Sequence, residues 1–270
     1  MSKEVSFKKP PVAETVLGVQ FAKLHGFSNA HLGAFWASLS ADWTNVKDVP
    51  ALEEQFELFG ESAVWANQMR LKFTQSSASR LQISKNTGDR MIQIQNGRLD
   101  YNWLAKDGGD YPRYNSVRPD FDETLQGFHE FLAERGLGPI QPNQWEITYV
   151  NHILKGTVWN EPGDWKDVMV GLPGPSLESE DLKMGGLGGQ WHFEIIPRRG
   201  RLHVQLQHGR IGSENGDEAM VLKLTARGPV GDGDVANLDQ GLNLGHDIIV
   251  TSFRDMTSSY AHEYWEKETP

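Results

Sequence analysis

Asn96-Gly97 constrains this chain more than any other feature. The dipeptide supplies the two positive φ angles of a type I′ turn, and it separates two alternating runs, Met91–Gln95 and Leu99–Leu104. A two-residue loop there pairs Ile94 with Leu99 and Ile92 with Tyr101 on one face, and Gln93 with Asp100 on the other. Turn chemistry and hydrophobic pattern ask for the same register, so an antiparallel hairpin is expected.

The remaining elements are read outward from this hairpin. Glu14–Leu24 (ETVLGVQFAKL) is a strand, and Ser28 caps a helix whose stripe is Leu32, Phe35, Trp36, Leu39 and Trp43. A loop containing Pro50 precedes short strands at Met69–Phe73 and Ser79–Ser84. After the hairpin, Tyr111-Pro112-Arg113-Tyr114 is a loop, and Phe121, Leu125, Phe128 and Leu132 mark a helix that Gly136 ends. The order then restarts with a strand at Trp145–Leu154 and a short helical stripe at Trp165, Val168, Met169 and Leu172, stopped by Pro173-Gly174-Pro175.

Beyond a glycine-rich linker, Trp191–Ile196 and Leu202–Gln207 form a second hairpin. A two-residue loop at Arg199-Gly200 pairs Ile195 with Val204 and Phe193 with Leu206, and sets His192 against Gln207, Glu194 against Gln205 and His203 against Ile196. A strand at Ala219–Ala226, a long helix carrying Leu238, Leu242, Ile249, Phe253 and Met256, and a short helix at Ser259–Lys267 complete the chain.

The expected class is α+β, in two similar halves, 1–140 and 141–270, packed as one unit. Each half reads strand, helix, antiparallel strands, helix, with a curved sheet gripping helices on one face, as in TATA-binding-protein-like or helix-grip folds. Residue identity between the halves is low, so this pseudo-duplication rests on element order and on one hairpin in each half.

Composition narrows the function classes. Nine Trp and twelve Phe among 270 residues outweigh chain entropy, so the chain folds. The absence of cysteine removes disulfides, thiolate nucleophiles and thiolate metal sites and points to a reducing, cytoplasmic setting. No apolar leader and no run of about eighteen apolar residues is present, so membrane insertion is not expected. A net charge of −10 with 26 scattered basic residues offers no phosphate-neutralising patch, so nucleic acid is not an expected partner. An acidic decoy protein is a third class that the charge allows.

The polar side of the second hairpin carries His192, Glu194, His203, Gln205 and Gln207, and the next strand adds Lys223, Thr225 and Arg227. Gln82, Gln93 and Gln95 hold equivalent positions in the first half. Two imidazoles and a carboxylate resemble a metal or acid–base set, but the expected register places the histidines at opposite ends of the ladder. The face is therefore either the wet side of an antiparallel sheet or a binding groove. Glutamine has no acid–base use at neutral pH, which favours recognition over catalysis.

Other motifs fail. His129-Glu130 lacks a second histidine at position 133, Asp232-Gly233-Asp234 lacks the twelfth-position Glu of a calcium loop, and Gly185–Gly189 has no Lys-Ser or Lys-Thr after it. No GxSxG elbow occurs. His246, beside Leu242, Ile249 and Phe253, reads as a hydrogen-bonded core histidine, with a general base as the alternative.

Six ordered segments carry a resemblance: PPVAETVLGVQF (Pro10–Phe21), RMIQIQNGRLDYNW (Arg90–Trp103), YPRY (Tyr111–Tyr114), WEITYVNHI (Trp145–Ile153), LTARG (Leu224–Gly228), and LGHDIIVTSF with a closing HEYW. Together they resemble a sporadically distributed family of bacterial proteins of this length. The resemblance implies a bacterial cytoplasmic protein, and its scattered distribution implies a defence or mobile-element role. The family has no assigned activity, so it transfers no site residue.

The expectation is a non-catalytic binding module that recognises a protein partner or small ligand through its sheet face or its sheet–helix cavity. Its candidate contacts are His192, Glu194, His203, Gln205, Gln207, Lys223, Arg227, Gln93 and Gln95. No cofactor or metal is expected, and a homodimer is possible. The alternative is a metal-dependent or hydrolytic enzyme built on His192, Glu194 and His203.

Overall fold

The computed structural model describes residues 6–59, 79–106, 111–171, 179, 181–212, 215–231 and 237–268. In chain order the elements are β1 (Ser6–Phe7), β2 (Val12–Phe21), α1 (Asn29–Ser38), β3 (Asn45–Pro50), β4 (Ser79–Ser84), β5 (Arg90–Gln95), β6 (Arg98–Leu104) and α2 (Tyr114–Glu134). Then follow β7 (Pro142–Leu154), α3 (Trp165–Val168), β8 (Gly188–Ile195), β9 (Gly200–Arg210), β10 (Glu218–Pro229), α4 (Leu238–Met256), α5 (Ser259–Tyr264) and β11 (Lys267–Glu268).

Nine strands form one antiparallel sheet in the order β3-β4-β5-β6-β2-β7-β10-β9-β8, and β1 pairs with β11 separately. The fold is thus α+β. Alternation divides the large sheet cleanly. Leu17, Val19, Ile92, Ile94, Leu99, Tyr101, Trp145, Ile147, Leu222 and Leu224 are buried on one side, where α1, α2 and α4 pack. Each such side chain stabilises the fold by about 1.5–3 kcal/mol relative to exposure.

Two glycines let α4 approach the sheet closely. A Cβ at Gly241 would lie 2.2 Å from Trp145, and one at Gly245 would lie 2.5 Å from Ile147. Trp145 itself is fully buried, so the Gly241-x-x-x-Gly245 spacing opens a helix groove for its indole. Among the described residues no helix is long and apolar enough to cross a membrane.

The first hairpin has the expected register, with Ile94 opposite Leu99, Ile92 opposite Tyr101 and Gln93 opposite Asp100. Gly97 takes a φ of 104° but Asn96 has no positive φ, so the two-residue loop keeps the expected register without being the expected type I′ turn. The second hairpin does not. Ile195 pairs with Gly200, Phe193 with Leu202, Trp191 with Val204 and His192 with His203. The chain turns through Ile196–Arg199 because Pro197 has no N–H to continue a ladder. Relative to the expected pairing the strand slips by an even number of residues. Each side chain therefore keeps its face while its partner changes.

Three further differences are local. β3, with its Pro50, is an edge strand where a loop was expected; a proline is tolerated there because the outer side needs no ladder donor. α2 begins at Tyr114, inside the expected loop, and accommodates Pro119 in its second turn. Trp43 lies beyond the end of α1 and donates nothing to its stripe, instead accepting Trp36 Nε1–H at its carbonyl, 2.8 Å away. Met69–Phe73, Pro173–Pro175 and Asp232–Asp234 lie outside the described residues.

Candidate functional site

The polar side of the sheet carries one continuous lateral row across all nine strands: Lys47, Gln82, Gln93, Asp100, Gly18, Glu146, Arg227, Arg201 and Glu194. Gly18 is the gap that allows it. A Cβ there would sit 2.3 Å from Asp100 Oδ1. Without it, Arg98 spans β2, donating from Nε to Asp100 Oδ2 at 2.8 Å and from Nη2 to Glu146 Oε1 at 2.7 Å. Burial opposes the charge on Arg98, and Asp100 and Glu146 more than offset it, holding its pKa above the ordinary value.

Gln93 is a hub of this face. Its carbonyl accepts from Arg80 Nη1 at 2.7 Å and Gln82 Nε2 at 3.1 Å, and its amide donates to Asn102 Oδ1 at 2.9 Å. Asn102 in turn donates to Glu14 Oε1 at 2.6 Å. Gln93 and Asn102 are buried. The centre of the face is an interlocked network, not a simple wet surface.

One row along, Gln95, Arg98, Gln20 and Gln144 are lateral neighbours on β5, β6, β2 and β7. The three glutamine amides hold residues 51–59, a segment without regular secondary structure that crosses the strands. Gln95 accepts from Leu52 N at 2.8 Å and donates to Leu52 O at 2.9 Å. Gln20 does the same with Gln55, at 3.2 and 2.9 Å. Gln144 accepts from Glu57 N at 3.1 Å and donates to Gln55 O. An amide side chain offers one donor and one acceptor, so it pairs with a peptide unit as a neighbouring strand would.

The crossing segment ends in a charge cluster. Glu57 Oε1 bonds His203 Nε2 at 2.6 Å and Arg227 Nε at 2.5 Å, while Oε2 accepts from Arg201 Nε at 2.8 Å. Its side chain is 5% exposed. Burial pushes the carboxyl up, but the bonds from His203 and Arg227 hold it down at about 2. His203 Nδ1 lies 2.8 Å from His192 Nδ1, so one of the two donates to the other. Burial, with His203 and Arg201 nearby, keeps the His192 pKa below its ordinary value.

Beside this cluster lies a cavity of about 470 Å³, walled by Leu52, Glu53 and Gln55 on one side and by Gln190, His192, His203, Gln205, Lys223, Thr225 and Arg227 on the other, with Arg98 and Glu146 also lining it. Five expected residues, His192, His203, Gln205, Lys223 and Arg227, therefore share one site. The expected separation of the histidines is overturned: they are directly opposite each other, because the turn at Pro197 resets the register. Glu194 and Gln207 are exposed and outside the cavity, and Gln93 and Gln95 are engaged within the protein.

Glu57, Gln20, Gln144, Arg98, Glu146 and Arg201 were not anticipated. A glycine inside an otherwise apolar strand, Gly18, was the available signal of close approach. Glu57 had none, since ALEEQFELF has neither period.

On the opposite face His246 is hydrogen-bonded, as expected, but it is half-buried at the lining of a cavity rather than in the core. Its Nδ1 lies 2.8 Å from Tyr149 Oη, its ring stacks on Tyr114 at 4.1 Å, and burial lowers its pKa to about 4. Among the described residues no three His, Asp or Glu side chains converge to hold a metal ion. No protein-family model matches the chain, no curated protein matches it, and no solved structure matches it.

Proposed function

We propose that this protein is a non-catalytic binding module whose polar sheet face takes up a carboxylate-bearing ligand or partner in the cavity between residues 51–59 and strands β8–β10. One observation carries the reading. Lys223 forms no ion pair within 4.0 Å among the described residues, its charge acting on Glu146 from a greater distance, and it stands with the exposed amides of Gln190 and Gln205 at the wall of that cavity, where Arg98 and Arg227 are already paired with carboxylates. These groups donate hydrogen bonds and positive charge without proton chemistry at neutral pH. Titration calorimetry with short di- and tricarboxylates is the test. Saturable, salt-sensitive binding is expected, and Gln205→Ala with Lys223→Ala should abolish it; binding that ignores both changes removes the cavity from consideration.

A second reading, hydrolysis with His192 as general base, draws on the Glu57–His203–His192 chain, whose order suits a base oriented by further groups. The one hydroxyl side chain lining the cavity among the described residues is Thr225, which is bonded to Thr148 at 2.8 Å. The metal version has less support, because Glu194 is exposed outside the cavity that the histidines line and the imidazoles bond to each other.

The strand order also supports the pseudo-duplication of residues 1–140 and 141–270 in a TATA-binding-protein-like or helix-grip arrangement. Within the nine-stranded sheet the first strand of each half neighbours the last, β2 beside β6 and β7 beside β10, and the two first strands meet at the centre, while β1 and β11 pair outside this pattern. The absence of cysteine supports a cytoplasmic setting.

A further inference from the structure

We propose that the Gln95–Gln20–Gln144 ladder, with Arg201, Arg227 and His203 at its end, is a receptor for an extended polypeptide bearing an acidic side chain, and that residues 51–59 occupy it as an internal stand-in. The proposal rests on reading the polar sheet face as a recognition surface and names the partner of that surface.

The contacts have the character of peptide capture. Leu52, Gln55 and Glu57 are held through backbone N–H and C=O groups by side-chain amides. Such bonds are indifferent to sequence. The spacing also suits an extended chain. Gln95 and Gln144 stand three strand steps apart, about 14 Å, and five residues from 52 to 57 reach about 16 Å when extended.

The segment's apolar side chains contribute little. Leu52, Phe56 and Leu58 are 38%, 49% and 61% exposed, so their apolar surface is not what fastens the segment. Its polar side chains are held: Glu57 is buried among two guanidiniums and an imidazole, Gln55 Oε1 accepts from Arg227 Nη1, and the more exposed Glu54 pairs with Lys23 at 3.2 Å. The surface therefore reads backbone in general and one carboxylate in particular. A tethered segment competes at an effective concentration on the order of millimolar, so an outside peptide must displace it.

The test uses the full chain carrying E57Q, which removes the internal acid and leaves the receptor groups in place. A fluorescent peptide of sequence ALEEQFELF is titrated against it and against the wild type. Saturable binding at least about ten-fold tighter to E57Q is expected, as relief from a tethered competitor requires. Binding should be lost when the peptide's last glutamate is replaced by glutamine, or when Arg227→Met is added to the chain. A folded E57Q chain that does not bind the peptide overturns the proposal.

If E57Q does not fold, the wild-type chain supplies the second measurement. Excess peptide should expose the Glu57–Leu58 bond to a glutamate-specific protease, and cleavage unchanged at the highest peptide concentration overturns the proposal equally. Lys223→Ala with Gln205→Ala separates the two readings. It should remove carboxylate binding in the cavity and leave peptide binding to E57Q intact, so either can fail without the other.

Discussion

Gln20 and Gln144 are Cα partners across the β2–β7 pairing, and the amides of both close on the backbone of Gln55. The centre of the nine-stranded sheet is therefore also the place where residues 51–59 are fastened. Gly18, two residues before Gln20, keeps the neighbouring row open for Arg98 to reach Glu146.

Gln144→Ala removes a bond to Glu57 N and one to Gln55 O. The released backbone groups can reach water, so the expected loss is modest, about 1–2 kcal/mol. Gln20→Ala should cost a similar amount. The double variant should lose less than the sum, because the first change already frees the segment. Urea denaturation of the two single variants and the double variant checks this.

Glycines on two helices should respond in opposite directions. At Gly245 an added Cβ meets Ile147 and Trp145, and Gly245→Ala should destabilise by about 1–3 kcal/mol. At Gly127, exposed on α2, nothing lies within 4 Å of the built Cβ. Gly127→Ala should stabilise by about 0.5–1 kcal/mol. Thermal melting of the two variants reads both signs.

Legibility followed the physics of each element. Asn96-Gly97 marked the place and length of the loop but not its type, since only Gly97 takes a positive φ, and the β5–β6 register was readable because loop length and hydrophobic pattern agreed there. Pro197 was visible in the sequence, yet its effect on the β8–β9 register required knowing that the turn forms ahead of Arg199-Gly200. The shift conserved the faces, so His192, His203, Gln205, Lys223 and Arg227 were assigned to the correct side and His192 to the wrong partner. Residues 51–59 were opaque for a different reason. Their place is fixed by glutamines distant in sequence, and backbone-directed contacts leave no pattern in the residues they hold.

The register admits a direct chemical check, since the chain has no cysteine. Side chains directly opposite on antiparallel strands have Cβ atoms about 4.5–5.5 Å apart, near disulfide range. H192C with H203C should oxidise to an intramolecular disulfide, and H192C with Q207C should not. Non-reducing electrophoresis after mild oxidation reads the result.

His246 gives a pH dependence of defined sign. Burial lowers its pKa to about 4 from an ordinary 6.5, so the unfolded chain binds a proton in this window and the folded chain does not. Stability contributed by the neutral ring is present above 6.5 and is lost as pH falls towards 4, by up to about 3 kcal/mol before allowance for nearby solvent. His152, His192 and His262 are lowered as well, chiefly by burial, and act in the same direction. His246→Gln should therefore reduce the slope between pH 6.5 and 4 without removing it. Glu57 acts lower: its depressed pKa adds stability that is present above about 4.5 and lost as pH falls through about 2.

Amide hydrogen exchange across residues 51–59 bears most directly on the polar face as a surface that grips polypeptide backbone. In the wild type the Leu52, Gln55 and Glu57 amides should be protected relative to Glu53 and Glu54. Gln20→Ala with Gln144→Ala should release Gln55 and Glu57 while β2 stays protected. Unprotected exchange at all three positions in the wild type, or protection that survives loss of both glutamines, would contradict it.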